Sequence, residues 1–224
     1  MTAGVQEGNL LGVTRSHNHE HFNPSTFNSA VAIGMVLVAL FLQPGCRRHE
    51  AEQGGTNLPR LDATDLTGNP VDPIYGITNR AVVLVFVDAE CPISNRYAPE
   101  IRRLYTRFGP RGMRFWLVYP NRDLSVQGIR QHTTDFKLDC GVLLDQHHTL
   151  VHRAKVKVTP EVAVFAAEGR LVYRGRLDDR YVAFHETRPE ATHHDLEEAL
   201  GAILEAKPIP TAITQATGCA IPDL

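Results

Sequence analysis

The chain has four cysteines, at positions 46, 91, 140 and 219. They are too few and too far apart for a disulfide-dense scaffold or a Cys-rich zinc site, so each is read on its own. Cys91 follows the apolar, β-branched run Ala81-Val82-Val83-Leu84-Val85-Phe86-Val87 and precedes Tyr97, Ile101, Leu104, Tyr105 and Phe108 at helical spacing. A thiol between the carboxyl end of a buried strand and the start of a helix sits among backbone N–H groups and the positive end of the macrodipole. Both favour thiolate over thiol. Pro92 suits the first helical turn, where its missing N–H costs nothing. Ser94 is expected to cap that helix and to offer its hydroxyl to the sulfur. Cys140, between Leu138-Asp139 and a short strand, reads as a small core residue.

Other clusters carry weaker chemistry. His17-Asn18-His19-Glu20-His21 alternates metal-ligand types, but nothing around it would organise a site. His147, His148 and His152, and the pair His193-His194, fall at helix starts and read as solvated or capping residues. Asp178-Asp179 between Arg176 and Arg180 reads either as a solvated charge cluster or as part of a site. No metal is expected, and neither is an organic cofactor.

These residues need a scaffold, and the chain can build one. With 224 residues and 43% hydrophobic content it can bury a core, and 23 Lys+Arg against 25 Asp+Glu leave no basic surface for nucleic acid. Strands are predicted at 81–87, 113–119, 141–144, 162–165 and 171–175, with Ala167-Glu168-Gly169-Arg170 as a hairpin turn. Helices are predicted from near Ser94 to Phe108, stopped by Gly109-Pro110, at 124–136 with Val126, Ile129 and Phe136 inward, and at 148–154. A closing helix carries Leu196, Ala199, Leu200, Ile203 and Leu204. Strands separated by helices require crossovers, which implies an α/β sandwich with a central mixed sheet and helices on both faces.

Before this unit the composition changes. Residues 1–29 lack apolar periodicity and read as a disordered leader. Residues 30–46 hold an unbroken apolar run, shorter than the about 20 residues of a comfortable span but suited to a signal peptide or a signal anchor. It ends in Gly45-Cys46, with the look of a lipoprotein cleavage site, which makes Cys46 the lipidation candidate. Residues 47–57 read as a linker, 58–206 as the folded domain, and 207–224 as a flexible tail carrying Cys219. The protein is therefore expected to be exported and held on the periplasmic side of a bacterial membrane.

The segment from Ala81 to Ser94, with its Asp88-Ala89-Glu90-Cys91-Pro92-Ile93-Ser94 turn, resembles the strand and active-site turn of thioredoxin-fold redoxins. Val158-Thr159-Pro160-Glu161 resembles the family's cis-proline loop, and Glu168 to Tyr181 its terminal hairpin in the form used by peroxiredoxin-like members of the thiol-specific antioxidant group. The stretch from His194 through Lys207-Pro208-Ile209-Pro210 to Gly218-Cys219-Ala220-Ile221 resembles the tail of that subgroup. The resemblance implies a thioredoxin-like three-layer sandwich. It also implies that Cys91 is the attacking cysteine, that Thr159 and Pro160 lie opposite it through a cis bond, and that Glu90, Pro92, Ser94 and Glu161 contact substrate.

Three departures narrow the chemistry. Ser94 replaces the second cysteine of a Cys-x-x-Cys motif, so no local disulfide can form. Leu84 and Asp88 stand where a peroxiredoxin carries its peroxide-activating Pro and Thr. Asn95 replaces the second cysteine of copper-delivering Cys-x-x-x-Cys relatives. Oxidised Cys91 therefore needs another thiol, and Cys219 is the candidate within the chain. The expected function is a thiol-dependent oxidoreductase acting on a protein disulfide or hydroperoxide and recycled by an external thiol reductant. The alternative is a redox-inactive or copper-handling module that assists assembly of a respiratory or cytochrome complex.

Overall fold

The computed structural model describes residues 63–75 and 78–224. In chain order these form β1 (Ala81–Phe86), α1 (Pro92–Phe108), β2 (Met113–Tyr119), α2 (Val126–Asp135), β3 (Gly141–Leu144) and α3 (Thr149–Ala154). There follow β4 (Val158–Thr159), β5 (Glu161–Ala166), β6 (Arg170–Gly175), β7 (Tyr181–Ala183), β8 (Glu186–Thr187), α4 (Asp195–Leu204) and β9 (Cys219–Ala220). The leader, the apolar segment with Cys46, the linker and the His17–His21 cluster lie outside the described residues. Among the described residues no helix is long and apolar enough to cross a membrane.

The central sheet has the order β3-β2-β1-β5-β6. β1, β2 and β3 run parallel, while β5 and β6 are antiparallel to their neighbours. The two parallel crossovers step the same way along the sheet, so their right-handedness sends α1 and α2 to one face. Alternation along β1 follows suit. Val83 and Val85 share a core with Ile101, Leu104 and Phe108 of α1, Ile129 of α2, and Leu196 and Leu200 of α4. Val82, Leu84 and Phe86 pack on the other face with Leu150, Val151 and Ala154 of α3. The result is a thioredoxin-like three-layer sandwich with β1 buried at its centre, and Cys91 leaves the end of that strand.

Most predicted elements form where expected, and the exceptions have local causes. α1 runs on into a 3-10 turn at Gly109–Arg111 and is turned by Gly112 at φ 90°, a left-handed conformation that suits glycine. α2 starts two residues late because Ser125 is its cap, accepting from the Gly128 amide. Val126, expected inward, is thereby left at the solvent end of the helix and is 39% exposed. Leu124 before the cap and Ile129 in the first turn pack into the same core cluster, as in a hydrophobic staple. The β5–β6 turn has Glu168 and Gly169 both at positive φ, as a tight hairpin of this kind requires.

The tail, expected to be flexible, lies docked along β6 and β4. Arg174 on β6 donates its amide to Ala212 and accepts from that of Thr214. The Thr214 hydroxyl takes the Arg176 amide at 3.0 Å and meets the Tyr173 hydroxyl at 3.0 Å. β9 then pairs antiparallel with β4.

Candidate active site

Cys91 is itself the N-cap of α1, with φ −83° and ψ 114°, and Pro92 follows in the first turn. Ser94 is therefore not the cap. It lies buried inside the helix, where its hydroxyl oxygen accepts from the Asp88 amide at 3.3 Å. That bond turns the hydroxyl proton toward the Cys91 sulfur, which Ser94 reaches with both hydroxyl and amide. Across the site, the Cys91 thiol donates to the Thr159 carbonyl at 3.1 Å, and the Thr159–Pro160 peptide is cis.

β9 brings the second sulfur. Cys219 stands opposite Thr159 and Ala220 opposite Val158, and the Ile221 amide donates to the Lys157 carbonyl at 3.2 Å. Ile221 is 4% exposed and joins the core under the sheet. Gly218 is pressed onto the cis-proline loop: a Cβ there would overlap the Thr159 carbonyl oxygen and lie 2.6 Å from its carbon. This register puts the Cys219 thiol close enough to the Cys91 sulfur for each to perturb the other, while both remain free.

The two sulfurs are not equivalent. Burial alone would push the Cys91 thiol up, but hydrogen bonds from the Cys219 thiol and from the Ser94 amide and hydroxyl outweigh it and hold the group below its ordinary value. Burial, and the hydrogen bond to and charge of Cys91, push Cys219 up to about 12. Cys91 is therefore the more acidic sulfur of the two. Cys140 sits half-buried against the core, and burial pushes it up to about 12, in keeping with a packing residue.

A buried polar network backs the Cys91 turn. Asp88 takes the Glu90 amide at 2.8 Å and the Asn121 side-chain amide at 3.0 Å. The Asn95 side-chain nitrogen donates to the Ala89 carbonyl at 3.0 Å, which turns its oxygen toward His132 Nε2 at 2.8 Å. That oxygen can only accept, so Nε2 carries the proton and Nδ1 accepts from the Tyr119 hydroxyl at 2.7 Å. Sequence reasoning missed His132, Tyr119 and Asn121, because the end of β2 with its following loop supplies two of them, α2 supplies the third, and no spacing links the two segments.

Burial lowers the pKa of His132 against opposing pulls from Asp88 and Asp135. The folded state thus binds fewer protons than the unfolded one below the ordinary value of 6.5. The His132 contribution to stability is present above that pH and is lost as pH falls from it toward the lower folded-state value. Denaturant midpoints measured against pH are expected to fall more steeply for the wild type than for His132→Gln. Parallel curves would show that the imidazole does not titrate as assigned.

The remaining candidates are distributed as follows. Glu90 is exposed beside the turn. Glu161 is buried, with its carboxylate taking the Lys157 and Val158 amides at 2.8 and 3.3 Å, so it braces the loop from behind. Burial raises its pKa against those two bonds. His148, expected to be solvated or capping, stands at the N-cap position of α3 without a side-chain cap bond and is 2% exposed, with Nε2 against the Pro120 carbonyl at 3.0 Å. Asp178 and Asp179 are buried as well. Asp178 accepts from the Tyr97 hydroxyl at 2.5 Å, and Asp179 accepts the Thr192 and His193 amides at 2.6 and 2.9 Å. Both tie down loop backbone and are not a solvated cluster. Glu100, His194 and Glu197 converge within 4.8 Å, but Arg103 and Arg107 already pair with these glutamates.

A cysteine at the end of a central strand, facing a cis-proline loop across the tip of a thioredoxin-like sheet, defines a redoxin. The Redoxin family profile matches residues 53–191, and the chain belongs to that family. No curated protein matches the sequence. Among solved structures, an uncharacterized conserved protein from Geobacillus kaustophilus superposes with a TM-score of 0.62 at 24% identity, over 74% of this chain and 91% of that one. A hypothetical protein from Sinorhizobium meliloti 1021 does so with a TM-score of 0.62 at 19% identity, over 72% and 91%. These likenesses carry the fold.

Proposed function

We propose that this redoxin is an exported thiol–disulfide oxidoreductase of the peroxiredoxin-like branch, working through a Cys91–Cys219 dithiol/disulfide couple. The observation that carries the reading is the seating of Cys219 opposite Thr159 with its thiol on the Cys91 sulfur. The Cys91 thiolate attacks one sulfur of a substrate disulfide, forming a mixed disulfide and expelling the other sulfur as thiolate. Cys219, once deprotonated, attacks Cys91 Sγ and expels the second substrate thiolate, leaving the Cys91–Cys219 disulfide. Two electrons have passed to the substrate, and an external thiol reductant restores the pair.

A hydroperoxide would instead leave a sulfenic acid on Cys91, which Cys219 condenses to the same disulfide with loss of water. Leu84 and Asp88 at the peroxide-activating positions favour the disulfide substrate. A copper-handling role asks for a histidine beside the thiols, and His132 already has both ring nitrogens engaged by Asn95 and Tyr119.

The test is Cys219→Ser challenged with a small aromatic disulfide or with peroxide. The variant is expected to stall as a stable mixed disulfide on Cys91 or to overoxidise there, while the wild type stops at the internal disulfide. Unchanged turnover and unchanged protection of Cys91 would assign resolution to an external thiol.

A further inference from the structure

The peptide plane between Ala89 and Glu90, just ahead of Cys91, is gripped at both ends. Its amide donates to the Asp88 carboxylate at 2.8 Å, and its carbonyl accepts from the Asn95 side chain at 3.0 Å. Asn95 also donates its backbone amide to the Cys91 carbonyl at 3.1 Å, so one residue of α1 holds both the cysteine and the turn before it. The Cys91 amide donates to the Asp88 carbonyl at 3.2 Å, and the Asp88 amide to the Ser94 hydroxyl at 3.3 Å. Releasing the Ala89 carbonyl would therefore loosen the segment that turns Ser94 toward the sulfur.

Asn95 can grip that carbonyl in only one of its two amide orientations. Flipped, its oxygen would face the Ala89 oxygen, acceptor against acceptor. His132 fixes the orientation, because its Nε2–H donates to the Asn95 oxygen at 2.8 Å. The Tyr119 hydroxyl fixes His132 in turn, donating to Nδ1 at 2.7 Å and leaving the ring proton on Nε2. Donors thus point one way along the whole chain, from Tyr119 through His132 and Asn95 to Ala89. Tyr119 and His132 are both buried, where a lost partner is costly to replace.

We propose that His132 and Asn95 are positioning residues for the Cys91 thiol: His132 orients the Asn95 amide, and Asn95 holds the Cys91 turn in the geometry that makes the sulfur reactive. This role rests on Cys91 as the nucleophile. Both side chains act on the backbone of the turn and not on the reacting atoms. A purely structural role predicts lower stability with unchanged Cys91 reactivity in whatever protein is folded.

The experiment reads Cys91 alkylation by iodoacetamide in the full chain, with peptide mapping to separate Cys91 from the other cysteines and circular dichroism to verify folding. Asn95→Leu removes the donor at similar volume without adding charge. It is expected to slow Cys91 alkylation near neutral pH about tenfold, the size of one lost buried hydrogen bond. His132→Leu is expected to do the same, while His132→Gln, whose side-chain amide still donates to Asn95, keeps close to the wild-type rate. The double variant Asn95→Leu/His132→Leu is expected to be no slower than Asn95→Leu alone, because His132 acts through Asn95. Asn95 is only partly buried, so Asn95→Leu decides the matter even if His132→Leu does not fold. A wild-type rate in Asn95→Leu, additive losses in the double variant, or a His132→Gln as slow as His132→Leu overturns the positioning role while leaving Cys91 the nucleophile. A wild-type alkylation midpoint at or above the ordinary thiol value of 9.0 overturns the nucleophile itself, and the positioning role with it.

Discussion

A Gly218→Ala variant is expected to form the Cys91–Cys219 disulfide about 100-fold more slowly than the wild type, at nearly unchanged global stability. The added methyl would lie inside the Thr159 carbonyl and 3.1 Å from the Pro160 nitrogen. These are backbone atoms of a loop whose other side is held by buried Glu161, so the loop cannot yield by rotating a side chain. The tail must move instead. Losing the Thr159–Cys219 register turns an oriented thiol pair into a tethered one, and misplacement by about an ångström is enough to cost about two orders of magnitude. Quenched-flow alkylation after one equivalent of oxidant gives the rate. A wild-type rate would mean that the seated tail is unimportant for resolution.

Replacing Cys91 with Ser is expected to reduce thiol–disulfide turnover to background, because a serine hydroxyl is not ionised near neutral pH and, among the described residues, the position 91 side chain is hydrogen-bonded to the Thr159 carbonyl and not to a base. The wild type offers a finer measurement. The rate of Cys91 alkylation against pH is expected to rise with a midpoint below the ordinary thiol value of 9.0. Burial opposes this shift and the donors from Cys219 and Ser94 produce it, so Cys219→Ala and Ser94→Ala should each move the midpoint upward. A midpoint at or above the ordinary value in the wild type would remove Cys91 as the charged nucleophile.

Both expectations depend on Cys219 lying where no local rule could put it. Cys91 was legible because its signals are local: a β-branched run long enough for a buried strand, a proline suited to a first turn, and apolar residues at 97, 101, 104 and 108 that bury one helix face. The hairpin at Glu168-Gly169 was legible for the same reason, since turn chemistry is written in neighbouring residues, whereas the cis bond at Thr159–Pro160 was expected from the resemblance of Val158-Thr159-Pro160-Glu161 to the cis-proline loop of redoxins. The network behind the site was not. Asn95, Tyr119 and His132 meet only because β2 and α2 pack beside α1, and each alone reads as an ordinary helix or strand residue.

The charged pair Asp178-Asp179 shows the limit of composition. Four charges within five residues read as either a solvated cluster or part of a site, yet both carboxylates are buried, because the loops at 180 and 192–193 bring amide donors that compensate their desolvation. The amino-acid sequence by itself determined the strand–helix order, the fold it implies and the place of Cys91 between a strand end and a helix start, since these follow from hydrophobic period and turn residues acting over a few positions. Only the tertiary structure decided which cysteine lies across the cis-proline loop from Cys91, which carboxylates are buried, and that the tail is a docked strand. These depend on backbone hydrogen bonds and close contacts between segments distant in the chain, and no pattern within either segment encodes its partner.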